Sequence, residues 1–219
     1  EETISTERPK NIMDWFKTPG FFGVLSNYFL TRLCVNTLQL YLPFFAIYTI
    51  PVASAVATVP LTAYIGMCIS STLAPHVNTF IKDAAYLYTC ATMCTFLGTV
   101  IVFLSPTGSY LGVSFASLVL GLSCAQLMVT TQTQVCELVG HNANGGIVFG
   151  MNSFADKVST GLVIYGIQQL AQTVDTASLG GMYEKAATIV PLTCAVLGSL
   201  SLFTVPLDIR ARVHGDCNS

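Results

Sequence analysis

The 219-residue chain is 53% hydrophobic and 9% charged, and its mean hydropathy is +0.65. Because a soluble domain needs about a quarter of its residues charged, this composition excludes an ordinary soluble domain and predicts a membrane protein. The net charge of −2 offers no basic field for phosphate groups, so we expect no nucleic-acid partner.

Six stretches are apolar enough to cross a bilayer, which takes about 20 residues per helix. In chain order they are Gly20–Tyr48, Ser54–Ala74, Ala84–Leu104, Tyr110–Val135, Ile147–Ala171 and Ala186–Val205. Turn-forming residues separate them, at Ile50-Pro51, Pro75-His76, Ser105 to Gly108, His141 to Gly146 and Thr173 to Gly181. The sequence therefore predicts an all-α bundle of six transmembrane helices within residues 20–206.

Basic residues outside these spans orient the bundle. If residues 1–19 are cytoplasmic, that side receives Arg8, Lys10, Lys17, Lys82, Arg210 and Arg212, whereas the opposite side receives only Lys185. The positive-inside rule then places residues 1–19 and the tail at residues 207–219 in the cytoplasm. The segment Asn11–Phe22 suits either an interfacial lead-in helix or a loop that ends in an aromatic belt. The start at Glu1, without Met, indicates a piece of a longer protein.

Three ionisable residues lie inside predicted spans, where a charge costs several kcal/mol and usually has a function. Arg32 is in the first span, and Asp156 and Lys157 are in the fifth. Arg32 and Asp156 lie roughly 15 Å from the cytoplasmic surface, so we expect them to pair across the bundle interior. Lys157 points about 100° away from Asp156, toward a neighbouring helix, the surface or a carboxylate outside this chain. The alternative is a static ion pair that only locks two helices together.

Uncharged polar residues extend this pattern. Arg32, Asn36 and Gln39 recur on one helix face, which must avoid lipid. Other candidates for a substrate pathway are Tyr64 in the second span, Gln126 and Thr130 in the fourth, and Asn152 one turn before Asp156. For the Gln and Thr residues, including Gln134, hydrogen bonding between helices is an equal alternative.

The third and sixth spans contain hydroxyl groups but no charged or amide side chain. Such hydroxyls, including Thr92 and Thr95 or Thr188 and Thr193, can bond back to their own helix. Polar residues thus concentrate on the first, fourth and fifth spans. That distribution fits two nested three-helix repeats, the plan of half a major-facilitator transporter, with the plain helices at the periphery.

No catalytic or metal-binding motif accompanies these spans, so we expect neither an enzyme nor a cofactor. His76 and His141 fall in predicted loops and His214 in the tail, and no nucleophile elbow, zinc-protease motif or phosphate loop is present. The cysteines form no C-x-x-C pair. They are predicted to be small buried apolar residues.

Several separated segments resemble one family. The run from Phe149 to Val158, with Gly161 and Ile167-Gln168, is similar to the F-x-D-K-V region of the major facilitator superfamily domain-containing protein 12 family. Thr31-Arg32-Leu33, Val35-Asn36, Gln39 and Tyr41 resemble that family's seventh helix. Pro60-Leu61, Tyr64 and Ser70-Ser71 resemble its eighth. Thr160 departs from the pattern, since the family usually has Asn at that position.

The resemblance implies that this chain is the C-terminal six-helix half, helices seven to twelve, of a solute transporter. It implies cysteine import into a lysosome-like organelle, or alternatively a cation- or proton-coupled sugar symporter like the related glycoside-pentoside-hexuronide proteins. A non-transporting membrane scaffold is a further alternative. The expected partners are a small solute, the lipid bilayer and the missing N-terminal half. The expected location is a lysosomal or related membrane, with the plasma membrane as the alternative.

Overall fold

The computed structural model describes residues 12–17, 20–81, 83–106, 108–140 and 145–202. Within these ranges the chain forms helices and turns and no strand, which confirms the prediction of an all-α fold. The helices are α1 (Ile12–Lys17), α2 (Phe21–Thr49), α3 (Ala55–Phe80), α4 (Ala84–Leu104), α5 (Tyr110–Val139), α6 (Gly145–Gln172) and α7 (Leu179–Ser201). A short 3₁₀ turn, Thr176–Ser178, precedes α7. The terminal segments predicted to be cytoplasmic lie outside the described residues, apart from α1.

Within the described residues, four helices are long and apolar enough to cross a membrane: α2, α3 over Ala55–Val77, α4 and α5. They make the chain a multi-pass membrane protein. Helices α6 and α7 have 28 and 23 residues, which is sufficient length, but within the described residues neither contains a segment apolar enough to be counted with those four. Asp156 and Lys157 interrupt the apolar sequence of α6, and Glu184 and Lys185 lie in the second turn of α7. The fifth and sixth spans therefore stay predictions, as does the arrangement in two repeats.

The predicted break at Pro75-His76 is wrong. Helix α3 continues through both residues to Phe80, so His76 is helical rather than in a loop. A proline removes one backbone hydrogen bond and costs about 3 kcal/mol inside a helix. An apolar environment penalises every further unpaired backbone group, so the helix passes through the proline rather than ending there.

The last helix begins earlier than the predicted span. Helix α7 begins at Leu179, inside the predicted Thr173 to Gly181 break and ahead of the expected Ala186. Glu184 and Lys185 lower the local hydropathy, which moves a hydropathy-based boundary inward. Both are good helix formers, however, so the backbone is already helical there.

The lead-in segment is a short helix rather than a loop. The indole of Trp15 is fully buried in the bundle, whereas Phe16 is partly exposed. The ring of Phe16 packs against Phe21 and Phe22, with centroids 5.6 and 5.9 Å away. Its position at the membrane surface stays a prediction.

Close helix packing relies on glycines in α3, α4 and α5. A Cβ atom on Gly121 of α5 would lie 2.8 Å from the carbonyl carbon of Ala63 in α3. On Gly66 of α3 it would lie 3.1 Å from the backbone nitrogen of Leu122. By contrast, a Cβ atom on Gly146 or Gly150 of α6 would meet no heavy atom within 4 Å in the described residues. The α3–α5 crossing is the tightest of these contacts because backbone meets backbone.

Helix α2 lies at the centre and contacts α3, α5, α6 and α7. Helix α6 is attached mainly through α2. Near its C-terminal end, α2 packs on α7 through Tyr183, whose ring stacks on Phe44 at 5.3 Å and on Tyr48 at 5.4 Å. This arrangement leaves one side of α2 only partly covered, and that side contains the polar face.

Candidate functional site

The polar face of α2 is half-buried. Arg32, Asn36 and Gln39 all have intermediate exposure, whereas Thr31 and Thr37, on other faces of the same helix, are buried. The three residues therefore share one face, as their spacing predicts. The buried faces of α2 meet the other helices, so these polar groups point to the open side of the bundle.

The predicted pairing of Arg32 with Asp156 is wrong. The Nε atom of Arg32 donates to the hydroxyl oxygen of Tyr28, one turn earlier on α2, at 3.1 Å. Its guanidinium carbon lies 5.3 Å from the centre of the Tyr28 ring, a cation–π contact. Both contacts are with Tyr28 on the same helix, and the ion pair found among the described residues joins Asp156 to Lys157 rather than to Arg32.

Asp156 pairs instead with α2 one turn further along. Asp156 is 5% exposed, and its Oδ1 accepts a hydrogen bond of 2.7 Å from Nδ2 of Asn36. The depths of Arg32 and Asp156 along their own helices are equal, at roughly 16 Å from each start. Since α2 and α6 are shifted by about one turn relative to each other, Asn36 and not Arg32 faces Asp156.

Lys157 approaches the same carboxylate from outside. Its Nζ atom lies 3.3 Å from Oδ2 of Asp156, and its side chain is 79% exposed. The adjacent residues thus diverge, as their helical spacing predicts, with one buried and the other open. An ion pair with so exposed a partner contributes little to stability.

Thr160, which was not among the predicted site residues, completes this contact between α2 and α6. Its hydroxyl accepts from Nδ2 of Asn36 at 3.0 Å and donates to Oδ1 of Asp156 at 3.4 Å. Its position, one turn after Asp156 on the same helix face, was the available signal. The position at which the sequence departs from the resemblance therefore falls within the site.

Asn152 lies one turn before Asp156 and is 1% exposed. Neither its amide oxygen nor its amide nitrogen has a hydrogen-bond partner among the described residues. A buried unpaired amide costs roughly 1–3 kcal/mol for each group, so a ligand or water is expected there.

Gln39 and Tyr64 come together in a shallow apolar pocket between α2 and α3. Leu38, Leu42, Pro60, Ala63 and Met67 complete its lining. Gln39 donates to the Met67 sulfur at 3.6 Å, a weak bond, and Tyr64 is half-exposed. The pocket adjoins the polar face of α2, because Gln39 belongs to both.

Two glutamines of α5, Gln126 and Gln134, have different surroundings. Gln126 is half-buried and its amide lies 3.4 Å from the hydroxyl of Thr130, which itself bonds back to the Gln126 carbonyl at 2.9 Å. Gln134, further along the same helix, is fully buried, and its Oε1 accepts from Nδ2 of Asn27 on α2 at 2.9 Å. Gln134 thus joins helices, which was the structural alternative for this residue.

A second buried link involves α4. The hydroxyl of Tyr88 lies 2.8 Å from that of Thr31, which lies 3.0 Å from that of Thr131 on α5. Sequence reasoning missed it, because α4 has no charged or amide side chain to attract notice. The predicted back-bonding of hydroxyls is confirmed at Thr92, Thr95, Thr188 and Thr193, each of which donates to the carbonyl four residues earlier.

Replacing Gln134 with Ala is expected to lower stability by about 1–3 kcal/mol, because the buried amide of Asn27 loses its partner. The matched control is Gln132→Ala, two residues away and exposed. Thermal unfolding of the purified full-length protein measures both. Equal unfolding temperatures for the two variants would contradict the helix-joining role of Gln134.

Three relatives match most of this chain, all named major facilitator superfamily domain-containing protein 12. The protein from Mus musculus is 30% identical over 209 residues, 90% of this chain and 43% of its own length. The chain belongs to this family. The Homo sapiens protein is 32% identical over 71% of this chain and 32% of its own length. The Equus caballus protein is 33% identical over 90% of this chain and 42% of its own length. No family model matches the chain.

This member of the family therefore spans less than half the length of the relatives that it matches. Its described residues bring Asn36, Asp156, Lys157 and Thr160 into direct contact, with Asn152 and Arg32 each one turn away. Gln39 and Tyr64 form a neighbouring pocket, whereas Gln126 and Thr130 lie on another helix. Carboxylate, guanidinium and amide groups on one partly open face can recognise a small polar molecule.

Proposed function

We propose that the full-length protein is a solute transporter of the major facilitator superfamily and works by alternating access. This chain would form its C-terminal half, and the polar face of α2 with α6 would line part of the pathway. The observation that supports this most is the buried carboxylate of Asp156, held by Asn36 on a partly open face of a membrane-spanning helix. An ionisable group at that depth is expensive and is usually retained for function.

We propose cysteine or a related small molecule as the solute, imported into a lysosome-like organelle. An amino acid presents a carboxylate, and the guanidinium of Arg32, bonded among the described residues through Nε, keeps its terminal nitrogens for a charge-assisted and bidentate contact. The substrate's ammonium group would be attracted by the carboxylate of Asp156, one turn further along the pathway.

A sugar is the second candidate. The amide of Gln39 and the hydroxyl of Tyr64 beside their pocket favour it, since a sugar binds through hydroxyl groups and stacks on apolar surfaces. Uptake of labelled cysteine compared with labelled sugars, by the full-length protein with and without a proton gradient, separates the two candidates.

The remaining alternative is a scaffold whose polar residues only hold helices together. The buried bonds from Asn27 to Gln134 and from Thr31 to Tyr88 are the features that fit it. A scaffold gains no stability from solutes, whereas a transporter is stabilised in proportion to the excess of a solute that it binds.

Arg32→Ala is expected to lower uptake by about ten- to a hundred-fold, since a hydrogen bond to a charged group contributes roughly 1.5–3 kcal/mol. Expression should stay normal, because the hydrogen bond and cation–π contact of Arg32 are both with Tyr28 on its own helix. Initial uptake rates in proteoliposomes measure the effect, with Arg32→Lys as a partial-rescue control. Wild-type uptake by Arg32→Ala would contradict the proposed role.

A further inference from the structure

We propose that Asn152 and Asp156 form a binding site for a small monovalent cation, and that Lys157 competes with this cation for the carboxylate. The cation is either an alkali ion or a primary ammonium group of the solute, and the two share the same chemistry of recognition. The inference relies on the proposed transport for its biological role only, since binding can be measured without transport.

The first observation is the unpaired amide of Asn152. The side chain is 1% exposed, and both its oxygen and nitrogen lack a partner among the described residues. Asn152 and Asp156 are four residues apart in α6, so their side chains lie on one face with Cβ atoms about 5–6 Å apart. A buried amide oxygen next to a buried carboxylate is a ligand pair for a hard cation.

The second observation is that the two carboxylate oxygens of Asp156 have different partners. Its Oδ1 accepts the bonds from Asn36 and Thr160, whereas the ammonium of Lys157, at 3.3 Å, is the partner of Oδ2 among the described residues. Oδ2 is thus the atom at which a cation already sits. Because the Lys157 side chain is 79% exposed, it can leave without disturbing the packing of the bundle.

The charge balance indicates a monovalent ion. One carboxylate compensates one positive charge, and divalent ions are bound by sites with more anionic ligands. Among the described residues, no group of three or more His, Cys, Asp or Glu side chains could hold a metal ion. Carboxylate and amide oxygens suit an alkali ion, and they equally accept the three donors of a primary ammonium. Lys157 shows in this structure that an ammonium group fits against Oδ2.

The test is thermal stabilisation of the purified full-length protein by sodium, lithium, potassium or methylammonium chloride, with N-methylglucamine chloride at equal ionic strength as the reference. We expect at least one of these cations to raise the unfolding temperature in a saturable manner. Lys157→Gln removes the ammonium group that competes for the carboxylate of Asp156. It should lower the half-saturating cation concentration on the order of ten-fold, because every molecule then has this carboxylate available for the cation. Asn152→Ala should raise it roughly three- to ten-fold through loss of one ligand.

Asp156→Asn should abolish the stabilisation. An effect of alkali ions assigns the site to an inorganic cation, and an effect of methylammonium alone assigns it to the amino group of the solute. The proposal is overturned if no cation stabilises either the wild type or Lys157→Gln, if Asp156→Asn retains the stabilisation, or if Lys157→Gln does not strengthen it. Normal uptake without any cation effect would reject this site alone, whereas cation binding without uptake of any solute would reject the proposed function alone.

Discussion

Asp156→Ala is expected to lower solute uptake by the full-length protein by about a hundred-fold or more. The carboxylate joins α6 to α2 through Asn36 and also holds Lys157. Its loss removes both the charge proposed to meet the solute and the main polar contact between two helices of the pathway. Loss of a buried partner also costs roughly 1–3 kcal/mol of stability.

The matched control is Asp175→Ala, which removes an exposed carboxylate with no capping hydrogen bond. Initial uptake rates, normalised to the amount of folded protein, compare the two variants. Asp156→Asn separates charge from volume, because it keeps the shape of the side chain. Uptake by Asp156→Ala within a factor of two of the control would contradict the role of this carboxylate in the pathway.

Gly121→Leu is expected to destabilise the bundle by about 3 kcal/mol or more, beyond the usual range for an overpacked site. Even the first added carbon would lie 2.8 Å from the carbonyl carbon of Ala63 and still nearer to its oxygen, and backbone cannot move aside as a flexible side chain can. The α3–α5 crossing would have to open along its length. Most of the full-length protein should then aggregate on extraction from the membrane.

Gly181→Leu is the control for this substitution, since an added Cβ there meets nothing within 4 Å among the described residues. Size-exclusion profiles and unfolding temperatures in detergent measure both variants. Gly66→Ala, on the opposite side of the same crossing, should show a smaller loss of about 1–3 kcal/mol. A Gly121→Leu variant as stable as Gly181→Leu would show that the two helices do not pack as closely as described.

Hydropathy predicted the helices well where their ends coincide with polar turns. Helix α4 matches its predicted bounds, Ala84–Leu104, because Asp83 caps its start and Ser105-Pro106 follows its end. Hydropathy failed to predict the helix ends where the helical backbone extends beyond the apolar run, as at Pro75 in α3 and at Glu184 in α7. Hydropathy reports burial in lipid, whereas a helix end is set by backbone hydrogen bonding.

The spacing of polar residues predicted which residues share a face but not which partners they meet. Arg32, Asn36 and Gln39 lie on one face, yet the partner of Asp156 is Asn36. A shift of one turn between two helices, about 5.4 Å, is enough to exchange one partner for the other. Such a shift depends on packing across the whole bundle. For the same reason, spacing alone did not distinguish Gln134, which joins helices, from Gln126.

The central proposal, that the polar face of α2 lines a solute pathway, is tested most directly by chemical access. Gln39→Cys, in a full-length protein whose exposed cysteines Cys68, Cys94 and Cys136 are replaced by Ser, presents a thiol on this face. A water-soluble methanethiosulfonate reagent should modify it, and a transported solute should slow that reaction. Leu197→Cys, on the exposed side of α7, should react slowly and without solute protection. Reaction at position 39 no faster than at position 197, or unaffected by any solute, would contradict the proposed pathway.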